Sequence, residues 1–423
     1  MIFKPKHLIC KRLRSFYLLR TLLFLLLLHF SYEGLFAQQH TVFHLPEGQK
    51  SVEIPFENHN NLIIVPVVIN NTLETKFILD SGANGTVLIE KLIADLLGMS
   101  YSREITVAGA GGMGIIRAFQ ADSVDITIKG VNAKPSEVIV LAQDYLSLKE
   151  YLGIEVQGII GASVFRDLVV EIDYDDYELV LHDPEQFDPP KKFKSYDIEL
   201  RNNKPYIRGL VQQKGRTPVE ADFLIDLGAS HAMLLEIDSA GTFVVPQENL
   251  STSLGRGLSG DISGNLGRVP SFTLGDFELN NVITSFTPLY SKIQLHGRVG
   301  TIGGELFSRF HVFVSFPDEK IYLKKNKKFN DPFQYNMSGM ELIAFGNDYD
   351  RIKVAGVYEG SPADKAGVKE GDELLKINWI HVKYFSLSHI NAILRSREGK
   401  KMRLKVLRDG EKHKIKFRLK KLI

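Results

Sequence analysis

The sequence predicts a mainly β protein in which two lobes related by internal duplication are followed by a small α+β domain. Three observations carry that prediction. Short apolar runs punctuated by glycine, asparagine and aspartate fill the stretch from Val52 to Lys324, where helical pattern is sparse. Landmarks recur in the same order in the two halves of that stretch, the signature of a repeat. Beyond residue 336 the pattern changes to strands such as Val354–Val357 and Met402–Val406 mixed with helical segments, over a length typical of one small domain.

In chain order, residues 1–37 stand apart. Lys4, Lys6, Lys11, Arg12, Arg14 and Arg20 precede the apolar run Thr21–Phe30, and a basic stretch before a short apolar core reads as a secretory signal peptide. Ala37 marks the expected cleavage edge, with Leu35 larger than the usual small residue two positions earlier. The apolar core is far shorter than the ~20 residues that span a bilayer, so cleavage is expected over retention as an anchor. Export follows, to the periplasm or the exterior. Cys10, the only cysteine, lies before the apolar core and so is not placed for lipid attachment. The mature chain would therefore lack disulfides and thiol nucleophiles. The whole sequence has a net charge of +2, but the leader holds six basic residues and one acid, which leaves the remainder at −3. No nucleic-acid partner is implied, and membrane contact is expected only through the leader.

The first lobe is expected over residues 38–188 and the second over 189–330. Leu62–Ile69 and Thr75–Leu79 read as strands joined by Asn70-Asn71, and Leu88–Leu97 reads as a helix stopped at Gly98. The linker falls at Asp183–Lys194, with Pro184 and Pro189-Pro190. The duplication is visible in Phe77-Ile78-Leu79-Asp80-Ser81-Gly82-Ala83, which returns as Phe223-Leu224-Ile225-Asp226-Leu227-Gly228-Ala229. Glycine-rich stretches follow each copy, Gly109–Gly114 and Gly255–Gly264. Each half then closes alike, on Ile159-Ile160-Gly161 before Phe165 and on Thr301-Ile302-Gly303 before Phe307. The run Asp173–Tyr177 reads as a solvated hairpin turn.

Two aspartates delivered by matching apolar strands suggest a specific chemistry. Carboxylates about 3 Å apart cannot both ionise, so one retains a proton and the other can act as a base on water. The glycine after each lets the backbone approach the opposite carboxylate. These motifs resemble the Asp-Ser/Thr-Gly active site of retropepsin-like and pepsin-like aspartic proteases, over roughly residues 50 to 326. The resemblance implies two retropepsin-like acid-protease β-barrel lobes, with Asp80 and Asp226 as the catalytic pair contributed by one chain. It implies active-site loops Ser81-Gly82-Ala83 and Leu227-Gly228-Ala229, and a flap containing Gly109, Gly111 and Gly112. The activity implied is aspartic-type endopeptidase, with peptide or protein substrates and no cofactor. Leu227 departs from the family, whose hydroxyl there helps tie the two loops together. That departure keeps a second reading open, a catalytically impaired pseudo-protease that binds peptides. Ala83 and Ala229 offer no hydroxyl to the dyad, so its pKa should stay high and the working pH should be mildly acidic to neutral. The twelve histidines show no His-Glu-x-x-His spacing, and no metal site is expected.

Gly360-Ser361-Pro362-Ala363-Asp364-Lys365-Ala366-Gly367 and Gly371-Asp372-Glu373-Leu374-Leu375-Lys376-Ile377-Asn378 resemble PDZ domains of bacterial exported proteases. The resemblance covers residues 337–423. It implies capture of an extended peptide C-terminus as an added strand, with Gly339, Met340, Glu341 and Leu342 as the carboxylate loop and strand edge. Leu387–Arg397 reads as a helix and Trp379 as packing. A chain with both dyad halves does not need to dimerise.

Overall fold

The computed structural model describes residues 42–109, 111, 115–288 and 299–423. The predicted leader and Gly112 lie outside the described residues. Each lobe is a closed ring of six strands. In the first, the ring runs Val131–Leu141, Thr86–Leu88, Gly158–Ile160, Leu73–Leu79, Leu62–Ile69 and Ile115–Ile128, and returns to its start. In the second it runs Phe277–Pro288, Met233–Ile237, Gly300–Gly303, Val219–Asp226, Lys204–Gln212 and Gly260–Leu274. The neighbour order is the same in both, so the sequence duplication is a duplication of topology. A closed ring also leaves its members no free edge.

Local chemistry explains the hairpins. Leu62–Ile69 pairs antiparallel with Leu73–Leu79, and the turn between them places Asn70 and Asn71 at positive φ, which asparagine tolerates better than most residues. The run Leu88–Leu97 divides differently from expectation. Thr86–Leu88 is a buried strand beside Val131–Leu141, and the helix is confined to Lys91–Leu96. Burial of Val87 and Leu88 in the barrel wall outweighs the helical pattern there.

A third sheet joins the lobes. Its strands lie in the order Lys194–Asp197, Lys320–Lys325, Phe310–Ser315, Val169–Asp173, Glu178–His182 and Ser51–Pro55. The equivalent strands of the two lobes meet at its centre, with Val170 opposite Val314 and Ile172 opposite Val312. Beside this seam, Glu171 accepts hydrogen bonds from His182 Nε2 and His311 Nε2, each at 2.7 Å. Burial alone would raise the Glu171 pKa, but the two imidazoles outweigh it and hold the carboxyl down to about 2. The turn after Asp173 is less solvated than its charges suggest. Tyr174 is fully buried, edge-on to Phe56, because an aromatic ring gains more from the core than the turn gains by exposing it.

The C-terminal domain has its own core, which includes Met340, Ala344, Leu374, Ile390 and Val406, whereas the lobes share a continuous one. Its sheet runs Met340–Phe345, Arg351–Val357, Glu373–Ile377, Lys401–Arg408 and Glu411–Arg418. Ser361 caps the short helix Pro362–Lys365 by accepting from Asp364 N at 3.2 Å. Ser386 caps Leu387–Arg395 through His389 N at 3.1 Å. Trp379 is not packed. It is 71% exposed at a tight turn, with both Asn378 and Trp379 at positive φ, and that backbone directs its ring outward beneath Arg403.

Candidate active site

The strand Leu73–Leu79 ends directly before Asp80, and Val219–Asp226 ends on Asp226. Each strand is held from below by a parallel partner, Gly158–Ile160 in one lobe and Gly300–Gly303 in the other. The backbone N–H of Asp80 donates to Ile160 O at 2.9 Å, which fixes where the strand stops. Apolar residues Phe77, Leu79, Phe223 and Ile225 bury the strands, so the carboxylates emerge at the barrel ends where the lobes meet.

The loops after the two strands interlock. A Cβ on Gly82 would stand 2.9 Å from Asp226 Cγ, and one on Gly228 would overlap the Asp80 carboxyl. Each glycine therefore lets its own loop approach the carboxylate of the other lobe, as the duplicated motif predicts. Asp80 and Asp226 are hydrogen-bonded to each other. Asp80 Oδ1 also accepts from Gly82 N at 2.7 Å and Ala83 N at 3.1 Å. Burial pushes the Asp80 carboxyl up from its ordinary pKa, against the two amides, Asp226 and the charge of Lys204, which pull it down. The direction agrees with the sequence expectation, but the dominant cause is burial rather than the missing hydroxyl at Ala83.

Ser81 is fully buried and joins the lobes. Its Oγ donates to Ile225 O at 2.8 Å and accepts from Leu227 N at 3.1 Å. Leu227, 1% exposed, belongs to the shared hydrophobic core. The residues just past each supporting strand cross the loop of their own lobe. Ala162 N donates to Ala83 O and Gly304 N to Ala229 O, both at 2.7 Å. A Cβ on Gly161 would come 2.5 Å from Ala83 O, which leaves no space for a larger residue.

Each lobe also projects a long hairpin, Tyr101–Ala108 with Ile115–Ile128 and Asn249–Gly257 with Gly260–Leu274. Their tips meet. Gly109 N donates to Ser259 Oγ at 3.1 Å, and Gly111, at φ 122°, lies against Gly260, whose O would be 2.5 Å from a Cβ there. The sequence reading places Gly109 and Gly111 in the flap and gives Leu258, Ser259 and Gly260, inside the glycine-rich stretch Gly255–Gly264, no part in it. The equivalent position of Gly255–Gly264 in the second repeat was the signal that could have found them.

Of the four residues expected to bind peptide in the C-terminal domain, Met340 and Leu342 point into its core. Glu341 accepts from Tyr358 Oη at 2.6 Å, and Gly339, at φ 81°, lies against Ser361.

Comparison with known proteins bears on these arrangements. Residues 65–164 and 211–306 each match the family model described as aspartyl protease, and residues 353–408 match the PDZ domain model. The matched segments include the Asp80 and Asp226 loops and the two meeting hairpins. The Bacillus subtilis carboxy-terminal processing protease CtpB is 29% identical over 103 residues, covering 24% of this chain and 21% of that protein. CtpA of the same organism is 27% identical over 111 residues, 26% and 23% respectively. The chain thus spans less than a quarter of the length of these relatives. The crystal structure of an aspartic proteinase from Irpex lacteus aligns with a TM-score of 0.43 and 13% identity, over 66% of this chain and 99% of that one.

Proposed function

For a chain that carries the aspartyl protease segment twice and a PDZ domain once, we propose the activity of an aspartic-type endopeptidase acting on exported or envelope proteins. The observation that carries the reading is the reciprocal approach of Gly82 to Asp226 and Gly228 to Asp80, with the carboxyls hydrogen-bonded to each other. Such a pair shares one proton. The ionised member takes a proton from a water as that oxygen attacks the scissile carbonyl carbon, while the protonated member gives its proton to the carbonyl oxygen. The tetrahedral diol then collapses. Its C–N bond breaks as the protonated carboxyl gives its proton to the leaving nitrogen and one diol hydroxyl gives its proton to the ionised carboxylate, so that an acid and an amine result and the dyad again holds one proton. The meeting hairpins would close the cleft and exclude water.

In this reading the PDZ domain selects or delivers substrate termini, and the leader directs export to the periplasm or beyond. N-terminal sequencing of the exported protein should begin at Gln38. Leu227 favours a second reading, a non-catalytic peptide binder, because it removes the hydroxyl of the second loop. The deciding experiment is cleavage of a peptide-library mixture by the mature chain from pH 3 to 8, beside Asp80→Asn and Asp226→Asn. Cleavage lost in both variants supports the dyad. A folded wild type that cuts nothing at any pH leaves the peptide binder.

A further inference from the structure

In the C-terminal sheet the strand Met340–Phe345 is terminal in the order, and the helix Leu387–Arg395 packs beside it. An edge strand flanked by a helix is the groove in which a PDZ domain adds a peptide strand. Here that position is taken by the chain itself. The first-lobe helix Leu148–Leu152 lies against Met340–Phe345. Gly153, which ends that helix at φ 71°, sits between the groove walls. A Cβ on it would be 2.9 Å from Leu387 Cβ on the helix and 3.3 Å from Ala344 Cβ on the strand.

We propose that Leu148–Gly153 is an internal latch occupying the PDZ groove, and that an extended peptide with a free C-terminal carboxylate binds only by displacing it. The proposal rests on the PDZ reading above but not on catalysis. Displacement would be felt at the dyad by two routes. Leu152 packs with Ile78, on the strand that delivers Asp80, and with Ile64 and Val156. At the start of the PDZ helix, Ser388 Oγ is 3.3 Å from His59 Nδ1. Two residues on, Asn61 Nδ2 donates to Ser230 O at 3.1 Å, next to the Asp226 loop. A latch of this kind lowers apparent peptide affinity by the fraction of time it is open.

The test uses the chain from Gln38 onward, which has no cysteine because Cys10 precedes it, carrying Asp226→Asn so that cleavage cannot intrude. Adding Gly153→Cys with Ala344→Cys places two Cβ positions close to the ~3.5–4.5 Å that a disulfide spans. Binding of a fluorescent random decapeptide pool is measured in the oxidised and reduced forms, with the C-terminally amidated pool as control. The expected result is binding at least tenfold weaker when oxidised, restored by reductant and absent for the amidated pool. Gly153→Arg in the otherwise unaltered Asp226→Asn chain should bind at least tenfold tighter than its parent. Hydrogen exchange across residues 148–156 and 77–80 should quicken when peptide is bound. Equal binding by oxidised and reduced forms, no gain from Gly153→Arg, or no binding by any folded form would each overturn the latch. Because Asp226→Asn removes the dyad, failure here is distinct from failure of the protease reading.

Discussion

The loops that follow Asp80 and Asp226 occupy equivalent places in the duplicated fold, yet they are held by different physics. In the first, Ser81 spends both hydrogen-bonding capacities of its hydroxyl on the opposite lobe, donating to Ile225 O and accepting from Leu227 N. In the second, the matching residue is Leu227, which contributes a buried apolar side chain to the shared core. A single hydroxyl can satisfy a donor and an acceptor at once, so one serine is enough to clip the loops together. The second position is then free to supply packing. The asymmetry therefore does not require a loosened dyad, and its consequences can be separated by mutation.

The largest effect should come from the carboxylates, where the two loops are expected to be equal. Asp80→Asn and Asp226→Asn should each lower kcat/KM by about 10³-fold or more, and the double variant should be little worse, since the pair acts as a unit. Unequal losses would mean that only one lobe does chemistry. Next come the glycines. Gly82→Ala and Gly228→Ala push a methyl against the opposite carboxyl, and displacement of this scale costs on the order of 10²-fold in kcat. Gly228→Ala should be the more damaging, because its methyl would overlap Asp80 whereas that of Gly82 stops 2.9 Å from Asp226 Cγ. Smaller again are the two clip positions. Ser81→Ala strands a buried amide and a carbonyl and should cost about 1–3 kcal/mol in urea unfolding. Leu227→Thr loses core packing and should cost on the order of 2 kcal/mol, with no gain in cleavage. A strong rise in cleavage by Leu227→Thr would show instead that the native second loop is impaired.

Much of this was legible because it is local or repeated. The Asp-x-Gly-Ala copies, the Ile-Ile-Gly and Thr-Ile-Gly segments and the PDZ helix-start motif each encode a backbone requirement in a few adjacent residues, and the structure supplies the corresponding contacts at Gly82, Gly161, Gly228 and Ser361. What escaped depends on residues distant in sequence. Ser259 meets Gly109 from 150 positions away, a contact toward which only the equivalence of the two repeats points, and Glu171 finds His311 at a separation of 140, where no spacing rule pairs them. Tyr174 and Trp379 depart from the sequence expectation because each sits in a turn, where composition does not say which way the backbone turns a ring. The contact of Gly153 with Leu387 and Ala344 joins two domains and has no sequence signal.

The lobe seam and the dyad also differ in their response to acid, and that contrast gives the final prediction. Glu171 has a depressed pKa of about 2, so its contribution is complete above its unfolded value near 4.5 and is lost as pH falls toward 2. That contribution is at most about 3 kcal/mol. Asp80 has a raised pKa, so its burial costs nothing below its unfolded value near 4 and destabilises the fold progressively as pH rises through the folded pKa. Glu171→Gln should therefore lower Tm at pH 7 and approach wild type near pH 2. Asp80→Asn should raise Tm at pH 7 and lose that advantage near pH 3. Thermal unfolding of both variants across this range separates a group that the fold stabilises from one that the fold strains. If Asp80→Asn brought no gain at neutral pH, the carboxyl would be solvated in the free protein, and its place in a proton-sharing pair would have to be abandoned.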